Sequence, residues 1–197
     1  MSRVRAILWV LVAIALVALA FMMFRPVPET RKNETITLAS IGEPFTLTGA
    51  DGRPFSSARL SGKPYAIFFG FTNCPDVCPT TLARLIQLRK QLNAGDRSFE
   101  IVFVTVDPER DGPAEVGKYA EVFDTPIIGL TGSPNRIEQV KKQFGIFSKK
   151  VPDGSGGYTV DHTATVLLFD RNEQFSSTIA PDEQNDPALA KLKRITA

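Results

Sequence analysis

Histidine occurs once in this 197-residue chain and cysteine only twice. Two cysteines can close a single disulfide, which excludes a scaffold built on disulfides. Together with one imidazole they supply three nitrogen or sulfur donors. A closed zinc site of four such ligands is therefore excluded for a single copy. A charge excess is missing as well: 23 basic residues face 21 acidic ones, for a net +2. That balance excludes a nucleic-acid binder driven by bulk charge. Hydrophobic residues at 43% and charged residues at 22% exclude disorder, collagen and coiled coil as descriptions of the whole chain. The length suits one domain with little left over.

What the chain does have is one long apolar run. Residues 6–24 read AILWVLVAIALVALAFMMF, without a charge, Gly or Pro. As a helix it would be about 28 Å long, close to the roughly 30 Å of a bilayer core. It predicts a transmembrane anchor after a five-residue cytoplasmic N-terminus, since Arg3 and Arg5 precede the run. Ala18-Leu19-Ala20 resembles a signal-peptide cleavage site. The apolar run continues beyond it to Phe24, which favours an uncleaved anchor. Five residues leave no room for a mitochondrial leader. The expected location is a bacterial inner membrane, spanned once, with the rest of the chain in the periplasm, where disulfides are permitted. Residues 25–35 (RPVPETRKNET) read as a polar spacer, and 36–197 as the folded domain.

Within that domain, Phe45–Thr48 and Pro54–Ser56 flank Gly49-Ala50-Asp51-Gly52, a hairpin signal. The apolar runs Tyr65–Phe71 and Phe99–Val106 predict strands buried on both faces. Helical spacing marks Thr80–Asn93, with Gly95 closing it. A helix over Pro113–Phe123, a short strand at Ile127–Leu130 and a Ser133-Pro134 start signal for a helix to Phe144 follow. Strands at Thr163–Asp170 and Gln174–Ile179 precede a last helix at Ala188–Ile195, with Asp186-Pro187 as its start signal. Strands that alternate with helices and end in a hairpin predict an α/β sandwich around a mixed sheet, of thioredoxin type.

Cys74-Pro75-Asp76-Val77-Cys78 lies between the first buried strand and the first long helix. Ligands bind at such strand ends in open α/β sheets. On a helical turn, residues four apart share a face, so both sulfurs can point at one centre. They can grip a soft metal or close a disulfide, and a helix N-terminus favours their thiolate form. The extra residue relative to Cys-x-x-Cys widens the bite, which counts for a metal. A disulfide that merely staples the helix would close too small a ring to constrain the chain much. His162 stands where the Gly-rich stretch 154–157 meets the Thr163–Asp170 strand. Antiparallel packing of that strand against the first would bring it beside the cysteines. Two thiolates and one imidazole suit copper, while zinc with a water or carboxylate in fourth place stays open.

With these residues in view the chain resembles the Sco/SenC family. The resemblance rests on the apolar anchor, Gly62-Lys63-Pro64, Gly70-Phe71-Thr72-x-Cys74-Pro75-Asp76-Val77-Cys78-Pro79, Val106–Asp111 and Tyr158-x-Val160-Asp161-His162-Thr163. It covers the chain from about Ile41 to Phe169. Asn73 stands where His is common in the family, and Thr163 where Ser is common. The resemblance implies a membrane-anchored, thioredoxin-like copper chaperone, not a turnover enzyme. It places copper(I) or copper(II) on Cys74, Cys78 and His162, for delivery to the dinuclear copper site of cytochrome c oxidase subunit II. It equally implies an alternative, a reductase using Cys74 and Cys78 as a redox pair to keep that site's cysteines reduced. Another periplasmic copper carrier or a thioredoxin-like reductant is the implied further partner; nucleic acid is not.

Three aspartates remain. Asp111 reads as the cap of the helix near Pro113, Asp107 as either a turn residue or a group lining the site, and Asp161 as a hydrogen-bond partner of a ligand or a solvated charge. The phenylalanines read as core. No Arg or Thr pattern beside Cys74 suggests a peroxide pocket. A purely structural membrane protein would leave both cysteines unexplained.

Overall fold

The computed structural model describes residues 41–197 except Asn93 and Ser155, together with residues 5, 7, 9, 12–16 and 21. The chain divides into two compact units, Met1–Thr35 and Ile36–Ala197. In the first, the described residues are helical, and Ile7, Trp9, Ile14, Leu16 and Phe21 expose their side chains. Among the described residues no helix is long and apolar enough to cross a membrane. Much of the expected span 6–24 and all of the spacer 25–35 lie outside the described residues.

The second unit is built on a seven-stranded mixed sheet. Its strands are β1 (Thr46–Gly49), β2 (Pro54–Ser56), β3 (Tyr65–Gly70), β4 (Glu100–Thr105), β5 (Ile128–Thr131), β8 (Val166–Phe169) and β9 (Phe175–Ile179), in the order β2-β1-β5-β4-β3-β8-β9. β3, β4 and β5 run parallel; β8 pairs antiparallel with β3, as does β1 with β5. All six residues of β3 are buried. This is why its sequence is an unbroken apolar run with no alternation.

Four helices complete the unit: α1 (Val77–Lys90), α2 (Pro113–Glu121), α3 (Pro134–Phe144) and α4 (Asn185–Thr196). Side chains alternate across a strand, so neighbours on β3 meet different layers. Phe69 meets Phe144 of α3, with ring centroids 5.5 Å apart. Gly70, like Phe68, faces the layer of Cys78 on α1. Phe103, level with Phe68 on β4, packs on Tyr119 of α2 at 5.0 Å. α1 and α2 thus cover one face and α3 the other, the expected sandwich.

Ser133 caps α3 as its sequence suggests, its Oγ accepting from the Arg136 backbone N–H at 3.3 Å. Three expectations need correction. α1 starts at Val77, not Thr80, and α4 at Asn185, not Ala188. Pro79 and Pro187 each fall third in their helix, where a missing N–H breaks no intrahelical bond. α1 ends at Lys90, and Gly95, with φ +53°, opens a separate 3-10 turn, Gly95–Arg97. Arg89 of α1 is fully buried. Its guanidinium donates to the Phe99 and Pro126 carbonyls and to Thr125 Oγ1.

A two-stranded sheet absent from the sequence reading lies apart from the main one. β6 (Ser148–Pro152) pairs antiparallel with β7 (Tyr158–His162), with Ser148 opposite His162 and Pro152 opposite Tyr158. The Gly-rich stretch is the tip of this hairpin, and His162 ends its second strand.

Candidate metal centre

The chain leaves the C-terminal end of β3 at Gly70 and turns so that the Cys74 backbone N–H donates to the Phe71 carbonyl at 3.2 Å. Cys74 therefore precedes α1, and Cys78 is the second residue of that helix. The two do not share a helical face, as the spacing alone suggests. They converge because the loop folds back over the helix start: the Cys78 N–H donates to Cys74 Sγ at 3.4 Å. Both cysteines are free thiols, Cys78 buried and Cys74 half-buried.

His162 arrives from β7. Its Nε2 lies 3.5 Å from Cys78 Sγ, and its Nδ1 is 3.0 Å from the Thr163 carbonyl oxygen. A carbonyl only accepts, so the proton sits on Nδ1 and the Nε2 lone pair of the neutral ring faces the sulfurs. The rings of Phe71 and Phe68 meet the imidazole edge-on at 5.8 and 6.0 Å. The three ligand atoms all lie within 4.8 Å of one another. Cys74 and His162 line a depression of about 270 Å³, with Pro75, Asp76, Val77 and Asp161 around them, while Cys78 is buried.

Burial dominates the electrostatics. It pushes the Cys78 thiol far above its ordinary range, with the Phe71 backbone working the other way. Burial thus opposes the thiolate that a helix N-terminus would favour at this position. Burial also holds His162 below the usual imidazole value, against the Thr163 carbonyl and Asp161. The metal-free centre at neutral pH is accordingly uncharged at His162 and Cys78. A cation that binds must displace the Cys78 proton.

Gly70 lets the parts meet. A Cβ there would stand 2.7 Å from Cys78 Sγ and 3.1 Å from the Phe68 and Phe103 rings. The sequence signal for it is a glycine inside an otherwise bulky apolar strand. Asp111 is not a helix cap: Gly112 occupies the cap position of α2. The Asp111 carboxylate is buried and accepts from the Thr72 N–H at 2.9 Å, Thr72 Oγ1 at 2.6 Å and Thr105 Oγ1 at 2.6 Å. It thereby ties the cysteine loop to the end of β4. Asp107 is buried and accepts from Tyr158 and Arg110. Asp161 is exposed at the rim. None of the three belongs to the clustered ligand set.

A sandwich of this topology with two thiols and one imidazole gathered beyond the C-terminal end of β3 is a thioredoxin-like protein equipped for a soft metal ion. The SCO1/SenC family profile matches residues 33–197, and the chain belongs to that family. It is 34% identical to the SCO2-like protein of Rickettsia felis over 155 residues, 78% of this chain and 76% of that one. Among solved structures it is similar to copper-bound ScoI of Bradyrhizobium japonicum: 40% identity, 79% of this chain and 99% of the other, TM-score 0.68. It is also similar to BsSco, at 28% identity, with 80% and 94% covered and a TM-score of 0.62. BsSco is described as a member of the Sco family of cytochrome c oxidase assembly proteins with a disulfide switch.

Proposed function

We propose that this chain binds one copper ion through Cys74 Sγ, Cys78 Sγ and His162 Nε2 and delivers it to the dinuclear copper site of cytochrome c oxidase subunit II. The observation that carries the reading is the convergence of these three donors within 4.8 Å. Thiolate sulfur selects copper(I), and imidazole suits copper in either oxidation state. The copper-bound relative supports the same cargo. Half-exposed Cys74 gives an acceptor protein a ligand to displace first, so the ion can pass by stepwise ligand exchange. The chain is then a carrier and not a turnover enzyme. It is held in a bacterial inner membrane by residues 6–24 and works from a periplasmic domain, loaded by another periplasmic copper carrier.

The disulfide switch of BsSco favours a second reading on the same sulfurs. Cys74 and Cys78 would give two electrons and two protons to a disulfide of the partner. The partner gains two thiols, and this pair becomes a disulfide that a thioredoxin-like reductant must reopen.

Thiolates bind metal and a disulfide does not. The fully reduced protein is expected to take up about one copper per chain, by the three-donor count, and the Cys74–Cys78 disulfide form far less, as read by metal analysis after desalting. Equal uptake in both states would remove the cysteines from the ligand set. His162→Ala separates the two readings. It should abolish copper-dependent oxidase assembly if delivery is the task, and leave assembly intact if only the sulfurs act.

A further inference from the structure

His162 stands on β7, and β7 pairs only with β6. Among the described residues no ladder hydrogen bond joins this hairpin to the sheet whose strand β3 feeds the cysteine loop. The imidazole itself rests on the Thr163 carbonyl and the Phe68 and Phe71 rings, while the hairpin that carries it is tied to the rest of the domain by side-chain contacts gathered at Tyr158, at the other end of β7. Its hydroxyl donates to Asp107 Oδ1 at 2.9 Å, and its carbonyl accepts from Arg110 Nη1 at 2.8 Å. Its ring lies 3.9 Å from the Arg110 guanidinium carbon. Arg110 Nε in turn donates to the other Asp107 oxygen. From β6, Lys150 pairs with Glu109 of the same loop at 2.6 Å. The Arg110 guanidinium also lies 5.8 Å from the ring of Phe71, whose edge meets the imidazole. One guanidinium nitrogen, Nη2, is buried with no hydrogen-bond partner among the described residues.

On the reading of the site as a copper centre, we infer that Asp107, Arg110 and Tyr158 are positioning residues for His162. They clamp the hairpin to the loop after β4, so that Nε2 is held at Cys78 before any metal arrives. None of them touches the ion. Their effect passes through the imidazole alone, so it falls on copper(II), which depends on nitrogen more than copper(I) does.

The test uses full-length protein in detergent, with Arg110→Lys, Tyr158→Phe and, as reference, His162→Ala. Arg110→Lys keeps the charge but loses the planar fork that grips Asp107 and the Tyr158 carbonyl together. Tyr158→Phe keeps the ring and loses the hydroxyl's contacts with Asp107 and Lys150, a milder change if the first fails to fold. Copper(II) affinity should drop in Arg110→Lys, by no more than the roughly 10-fold that marks the lower end for losing a direct hydrogen-bond partner of a ligand, since Arg110 acts one step further out. The Tyr158→Phe loss should be smaller, and copper(I) affinity and Cys74–Cys78 disulfide formation should change little in both. In metal-free protein, amide hydrogen exchange in β6 and β7 should quicken, and the His162 ring nitrogen signals should show increased motion. Unchanged exchange and ring signals in both variants would overturn the clamp, as would equal losses of copper(I) and copper(II). If His162→Ala keeps wild-type copper(II) affinity, it is the copper reading that fails. The metal-free measurements then still decide the clamp.

Discussion

At Gly70 the site has room for a hydrogen and nothing larger. The Cβ of Gly70→Ala would press on the Cys78 sulfur and on two ring edges fixed in the core. Such overpacking costs about 1–3 kcal/mol. We expect a lower thermal midpoint for Gly70→Ala and a weaker copper complex, because the cheapest relief is to push Cys78 off its position. A variant matching the wild type in both measurements would show slack behind the sulfur. Cys74, Cys78 and His162 stand out in the sequence because sulfur and imidazole are scarce in it. Gly70, Arg110 and Tyr158 do not stand out. Their roles arise from approach between elements far apart in the chain, and glycine, arginine and tyrosine have many ordinary uses.

Elements were legible in proportion to how deeply they are buried. β3 and β4 announce themselves by their apolar runs, and α3 by its cap and proline. The β6–β7 hairpin buries little beyond Val160, so SKKVP and YTVDH carry almost no hydrophobic pattern. The hairpin is held by its own ladder and by polar contacts that leave no periodic trace. The starts of α1 and α4 lie earlier than the sequence suggests for another reason: Pro79 and Pro187 look like boundaries but sit inside the first turn. The junction of β3, β4 and the cysteine loop depends on Asp111. Asp111→Ala strips three hydrogen bonds from one carboxylate. It should cost about 3 kcal/mol, since hydrogen bonds to charged groups contribute 1.5–3 kcal/mol each and water can replace part of the loss at Thr72. The denaturant midpoint should fall at unchanged slope, and Cys74 should become more reactive toward alkylating agents. A wild-type midpoint would show that the loop holds itself.

On the scale of the whole molecule, the described buried apolar residues run from Phe45 to Ile195, and all lie in the second unit. A chain beginning near Val27 should therefore fold, stay soluble without detergent and retain the copper affinity of the full protein. Precipitation of the shortened chain, or loss of its cooperative thermal transition, would place part of the first segment in the fold. The sheet order carries a different consequence. Cys78 and His162 meet across 84 residues of sequence, from opposite ends of the domain. A ribosome adding roughly 5–20 residues per second needs about 4–17 s to pass from one to the other. For that interval the emerging polypeptide carries both thiols and no imidazole. The newly made protein thus carries its sulfurs unguarded while it is still being extended, and acquires a three-donor centre only after His162 has been added.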